Sequence, residues 1–301
     1  MANWILFVLI SELMWSFTSF FDKILLSKNH IKSPFVFIVF NGLMNILLIF
    51  LLPFFDFGPL NAADLLIVFL TGLFLSLGIV FYYKAVQHEE ISRVLMMWQI
   101  TPIFILIISF FFLDESLTAN HFIGFLFLLV AGVIASYKKV EGSFRLSKAF
   151  YLMLCSTFFI SIFYVLSKYV YTITSFWSAF MWLRGAGFVG LFALLVPSIR
   201  RQFAETLSNM NLKVKGLIGF KMLIDFSAFV FLGYALLNGP VSLVSALGNT
   251  TIPIFIFLIT LVTSLYFPKI IKEEIDKKII LTKILAIAFI IIGIAFINSW
   301  V

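Results

Sequence analysis

Three ionisable residues stand deep inside long apolar runs of this chain: Glu12, Arg184 and Asp225. If those runs are helices rising about 1.5 Å per residue, each charge lies roughly 14–16 Å from the start of its run, near the middle of a hydrocarbon layer about 30 Å thick. A charge at that depth costs at least about 2.5–3.5 kcal/mol, so it is expected to face a wet cavity or a partner. Glu12 reads either as a neutral carboxyl tucked between helices or as a proton or cation site. Arg184 and Asp225 read either as a structural ion pair or as an anion clamp beside an amine-binding carboxylate. Lys221, four residues before Asp225, shares its helical face, and its stem is long enough to snorkel toward the basic end of the helix.

Two amides fall somewhat shallower. Gln99 and Asn249 each precede a proline inside an apolar run, Pro102 and Pro253, where the missing N–H bends the helix and frees a carbonyl. Amide and freed carbonyl together suit either a substrate or a hydrogen bond between helices. Trp98 beside Gln99 is the expected aromatic wall of such a site. Lys23 and Lys168 are expected as interfacial anchors. No catalytic constellation appears: the sequence has no Gly-x-Ser-x-Gly elbow, no His-Glu-x-x-His pair and no phosphate loop. His30, His88 and His121 are spaced unlike metal ligands, so neither a metal nor another cofactor is expected. The single Cys155 excludes an intramolecular disulfide and reads as core.

Positioning these residues takes spans. With 62% hydrophobic and 12% charged residues in 301, the chain lies far from the soluble norm of roughly 45–50% and about 25%. The runs are helical in length, without the alternation of an outer-membrane barrel. We read an all-α integral membrane protein with ten transmembrane helices, at about 3–22, 34–53, 62–83, 92–112, 119–137, 149–168, 175–198, 214–237, 241–267 and 279–299. The first run has no basic leader or cleavage site and reads as a retained helix. The forty Phe are expected mostly as lipid-facing filler.

The chain also repeats itself. Ser92-Arg93-Val94 and Thr101-Pro102-Ile103-Phe104 return as Ser242-Leu243-Val244 and Ile252-Pro253-Ile254-Phe255. Ser16 and Lys23 recur at the same separation as Ser161 and Lys168, and Phe37, Asn41, Gly42 and Pro53 answer Phe180, Arg184, Gly185 and Pro197. The expected division is residues 1–140 and 141–301, with five spans each. An odd repeat enters the membrane from the opposite side, so the halves are expected to be inverted, as in many secondary transporters.

Trp15-Ser16 with Lys23, Ala85, Pro102, then Glu115, Thr118, Gly124 and Gly132, resembles the drug/metabolite transporter (DMT) superfamily, in its ten-helix members with two EamA repeats. The resemblance spans nearly the whole chain and implies a helical basket around a central cavity, moving metabolites by alternating access. It leaves the substrate open. Glu12 is similar to the first-helix glutamate of the small multidrug resistance proteins, although its spacing to Lys23 is longer. Asn41 stands where the second span often carries Arg, and the second repeat replaces the compact Glu-x-x-Thr connection with the longer Phe267 to Lys278.

The expected function is secondary transport of a small zwitterionic or amphipathic metabolite, with Glu12, Arg184 and Asp225 in one cavity reached by Gln99, Asn249 and Trp98, and with a proton or sodium as coupling ion. Export of organic cations or drugs through Glu12 alone is the alternative within transport. A lipid-flippase accessory or interaction subunit is the alternative outside it. The partners are then a small molecule and the lipid bilayer, with no nucleic acid, in a monomer or homodimer.

Of the 21 Lys and Arg, eighteen lie on one side, in or flanking the connections after the odd-numbered spans. Lys168 is alone on the other side, while Arg184 and Lys221 lie within spans. Orientation follows Lys and Arg in short loops. In the cell membrane, both termini are therefore expected outside the cytoplasm and the Lys138 to Lys148 connection inside it, against the family's usual habit of cytoplasmic termini. A reporter active only in the cytoplasm, fused after Val301, should stay dark; a bright fusion would overturn the charge count.

Overall fold

The computed structural model describes residues 3–27, 33–55, 57–88, 94, 97–136, 148–266 and 277–298. All regular structure among them is helical: α1 (Asn3–Ser27), α2 (Pro34–Met44) continued by a 3₁₀ segment (Asn45–Phe50), α3 (Ala62–Val86), α4 (Thr101–Phe112), α5 (Ala119–Ser136) and α6 (Lys148–Ile173). There follow α7 (Phe176–Ala186) with its 3₁₀ segment (Gly187–Leu195), α8 (Pro197–Asn209), α9 (Leu212–Asn238), α10 (Val241–Tyr266) and α11 (Lys277–Asn298). Seven helices among the described residues are long and apolar enough to cross a membrane, and Phe35–Leu48, Thr101–Phe112 and Ala119–Ile134 are shorter apolar stretches. The chain is a multi-pass membrane protein. Ser92, Arg93, His30, the Lys23 side chain and most of the Lys138–Lys148 and Phe267–Lys278 connections lie outside the described residues.

The helix ends follow local chemistry. Asn61 and Asn211 cap α3 and α9 by accepting the N–H of Asp64 and Val214. Asp114 stops α4 by taking the left-handed conformation, φ 50°, which Asp tolerates better than most residues. Both α2 and α7 tighten to 3₁₀ partway along. At about 2.0 Å per residue the tighter winding stretches Pro34–Phe50 to about 28 Å, near the thickness to be crossed.

Packing is dominated by α3 on α6, α1 on α9, α1 and α4 on α10 and α6, respectively, and α5 on α11, with α4 also meeting α10 and α2 meeting the 3₁₀ segment after α7. Exchanging residues 3–136 with 148–298 turns these pairings into one another, but α5 also packs on α10 with no comparable contact of α4 on α11 among the described residues. The close approaches need glycine: a Cβ on Gly72 would sit 2.2 Å from the carbonyl oxygen of Ala186, and one on Gly190 2.9 Å from that of Ile38.

Two expectations are corrected here. Cys155 is exposed on α6 rather than in the core. The stretch after the seventh span is not a plain connection but the amphipathic helix α8, begun by Pro197, with Ile199 buried and an Arg201–Glu205 pair on its exposed face. Its amphipathic pattern is of the kind that suits a membrane interface.

Gly72→Ala should force α3 off α7 and lower stability by about 1–3 kcal/mol, the usual effect of overpacking. Gly219→Ala, with nothing within 4 Å of the added methyl, should be neutral or stabilising. Thermal melting of both variants in detergent checks this; equal melting temperatures would show that the contact yields.

Candidate functional site

The turn Gly239–Pro240 joins α9 to α10, and residues from both halves hold it. The Lys168 ammonium on α6 donates to the carbonyls of Leu236, Leu237 and Gly239. The Glu115 carboxylate accepts the N–H groups of Val241 and Ser242 and the Ser242 hydroxyl. A cation thus sits at a helix C-terminus and an anion at a helix N-terminus, each against the opposite end of a helix dipole. Lys168 is a helix cap, not the snorkelling anchor expected.

Both proline-freed carbonyls are satisfied within the protein. Pro102 frees the carbonyl of Trp98, which accepts the Thr101 hydroxyl at 2.8 Å. Pro253 frees that of Asn249, which accepts the Gln99 amide at 3.0 Å across the α4–α10 contact. The chain between Gln99 and Pro102 is a turn that starts α4 afresh, whereas Pro253 sits inside a continuous α10. Gln99 and Asn249 are therefore brought together, in a bond between helices. Trp98 lies with another group, edge-on to Tyr82 and against Ala85, Val94, Ala149 and Met153.

Glu12 is 2% exposed. Its carboxyl lies on Gly248 of α10, where a Cβ would come within 2.5 Å of Oε1. Oε2 is buried with no hydrogen-bond partner among the described residues. The Asn249 side-chain nitrogen and the Ser245 hydroxyl, within a turn of that contact on α10, are likewise buried without partners. Ser245 escaped the sequence reading, although its spacing of four from Asn249 puts both on one face.

Arg184 is buried, and its guanidinium lies 3.6 Å from the centre of the Phe229 ring. Phe229 in turn meets Trp15 edge-on at 5.2 Å, one turn along α1 from Glu12. No ion pair joins Arg184 to Asp225. Asp225 instead pairs with Lys221 at 2.5 Å, with 13% and 11% of the two side chains exposed. That pair lines a small cleft, with a cavity of about 10 Å³, between α2 and α9 with Phe37, Phe40, Asn41 and Met222. The three mid-membrane charges thus have three different surroundings. Among the described residues no group of three His, Cys, Asp or Glu is placed to hold a metal.

Residues 2–137 match the model of the EamA-like transporter family, as the resemblance to the DMT superfamily implied. A solved crystal structure, 16% identical, superposes with a TM-score of 0.70 over 99% of this chain and 96% of its own, and so shares the fold. No curated protein matches the chain in sequence.

Asp225→Asn should break the Lys221–Asp225 pair and cost on the order of 2 kcal/mol, part of it recovered by adding Lys221→Met. Arg184→Met combined with Asp225→Asn should be additive. A double-mutant cycle of melting free energies that coupled Arg184 to Asp225 as strongly as Lys221 would overturn this pairing.

Proposed function

We propose that this chain, whose residues 2–137 belong to the EamA-like transporter family of non-enzymatic membrane transporters, is a secondary transporter in which Glu12 exchanges a proton or cation while a small zwitterionic or amphipathic metabolite crosses the cytoplasmic membrane. Ten spans in two inverted five-helix repeats, residues 1–140 and 141–301, carry the alternation. Support for the repeats comes from the exchange symmetry of the packing: α1 on α9 answers α6 on α3, and α1 on α10 answers α6 on α4. Support for the orientation comes from α8, whose exposed Arg200 and Arg201 suit the anionic inner leaflet.

The observation that carries the reading is the orphaned carboxylate oxygen of Glu12. A merely structural carboxyl is expected to find its hydrogen bonds when buried. One left without them against the bare backbone of Gly248 supports a proton or cation bound there. The accessory-subunit reading requires every mid-membrane charge to be paired, and Glu12 speaks against it. Export of organic cations through Glu12 alone differs in needing neither Lys221 nor Asp225.

Reconstituted in vesicles with a trapped pH dye, the protein should move protons when a transported metabolite or cationic drug from a panel is added. Glu12→Gln keeps size and polarity but has no proton to exchange, so it should lose the dye signal while melting like the parent. A full dye response in Glu12→Gln would overturn the coupling role.

A further inference from the structure

A carrier whose halves rock against each other opens its two membrane faces in turn, so the contacts that tie the halves together at a face are the ones that must yield. The Gly239–Pro240 turn lies at such a face, since it joins the end of one span to the start of the next. Its attachments fall into two groups. Lys168, which donates to the carbonyls of Leu236, Leu237 and Gly239, belongs to the same half as the turn. Glu115 belongs to the other half, and so does Trp4, whose indole lies 2.7 Å from where a Cβ on Gly239 would stand. Further bonds between the halves lie at the same face: Tyr169, next to Lys168, donates to Asp64 near the start of α3 at 3.1 Å, and the Trp182 indole donates to the Gly58 carbonyl at 2.9 Å.

Local geometry aims Glu115. Asp114, at φ 50°, turns the chain out of α4, and the Glu115 N–H bonds back to the Ser109 carbonyl at 3.3 Å. The carboxylate then meets the start of α10, accepting the Val241 N–H at 3.0 Å, the Ser242 N–H at 3.4 Å and the Ser242 hydroxyl at 3.0 Å. The first N–H groups of a helix have no partner within it, and a carboxylate there is held by hydrogen bonds and by the helix dipole together. These bonds are only part-buried. Once the two sides separate at a membrane face, water can solvate both.

We propose that Glu115 is a latch between the halves, closed in this structure: the Gly239–Pro240 turn moves with the second half, clamped by Lys168, and this face opens when the first turn of α10 leaves Glu115 and Gly239 leaves Trp4. Lys168 keeps its bonds in both states. The two charged residues that flank one turn therefore have different duties, Lys168 stiffening the turn and Glu115 setting how much of the time the face is shut. The inference rests on the transport reading for the motion, but the latch is measured without transport.

The test is the distance between spin labels at Ser116→Cys, one residue past Glu115, and Asn238→Cys, at the end of α9, measured by pulsed electron resonance on the full chain in nanodiscs. Both positions are exposed, and Cys155→Ser removes the native thiol. The parent should give mainly one short distance. Glu115→Gln keeps the size but loses the charge and puts a donor where an acceptor stood, so it should raise the share of a longer distance roughly tenfold, as the loss of charge-assisted bonds implies. Ser242→Ala, which spares Glu115 and removes one bond, should shift the share the same way by less. Lys168→Met should lower the melting temperature without raising the longer share. Unchanged distances in both Glu115→Gln and Ser242→Ala, or a longer share in Lys168→Met equal to that in Glu115→Gln, would overturn the latch. Loss of proton movement in Glu12→Gln with unchanged distances in Glu115→Gln would sink the latch alone; a longer distance in Glu115→Gln with proton movement intact in Glu12→Gln would keep the latch and overturn the coupling role of Glu12.

Discussion

Hydrocarbon offers no hydrogen bonds, and this one constraint organises the protein. Every polar group placed within the bilayer must find its partner inside the chain. Most do, by short routes. Ser16, Thr71, Ser76, Ser161 and Thr250 turn their hydroxyls back to the carbonyl four residues before them. Where the backbone breaks, a side chain from another helix answers. Gln99 takes the carbonyl that Pro253 frees, Ser161 reaches the carbonyl of Thr101 where α4 begins, and Lys168 and Glu115 divide the ends of α9 and α10 between them. Because the answers from Gln99, Ser161 and Glu115 come across the two halves, neither half satisfies all its own breaks alone. Against so thorough a pattern, the few orphans stand out, and Glu12 is the ionisable one among them.

The near-symmetry of the packing makes its departures meaningful. Counting back four residues from Ser16 and from its counterpart Ser161 gives Glu12 in one half and Thr157 in the other. Thr157 bonds within its own helix, to the Leu154 carbonyl. By the spacing that relates Ser92 to Ser242, Gly248 beneath the Glu12 carboxyl corresponds to Trp98. One half thus sets an acid against a bare backbone, and the other a small hydroxyl residue where its partner helix carries a large ring. A duplicated architecture supplies two similar helix crossings, and this pair of exchanges reserves the ionisable group for one of them.

Much of this was legible in the sequence, and physics says which part. Long apolar runs name helices, so each of the ten expected segments overlaps a described helix, although the second, fifth, ninth and tenth run up to a few residues past theirs and the fourth is described only at Val94 and from Met97. The depth of Glu12, Arg184 and Asp225 followed from rise per residue, and all three are buried. Their partners did not follow, because facing is set by helix rotation and crossing, which periodicity fixes poorly in helices apolar on every side. Asp225 chose Lys221, four residues away on its own helix, over Arg184 on another; local geometry guarantees the first contact and leaves the second to tertiary packing. Arg184 in turn accepts a ring face, which no count of charges reveals. The helix α8 was readable in hindsight from Pro197 at its start and the spacing of Ile199 and Phe203, but it is too polar to register in a search for spans.

The three buried charges differ in what they can give up. Arg184 lies over the Phe229 ring, which stabilises its charge, and has no counter-ion among the described residues. Lys221 and Asp225 compensate one another, so removing a proton from one or adding one to the other breaks their ion pair. Glu12 has neither a cation beside it nor a full set of donors around it among the described residues, and the loss or gain of its proton acts on the contact with Gly248 and on the buried Tyr164 phenol of α6. That contact joins α1 to α10, while Trp15, one turn on, joins α1 to α9 through Phe229. A charge change at Glu12 therefore acts where one helix of the first half is held by two helices of the second. Under the proposed cycle, that is the position from which a proton biases how the two halves pack.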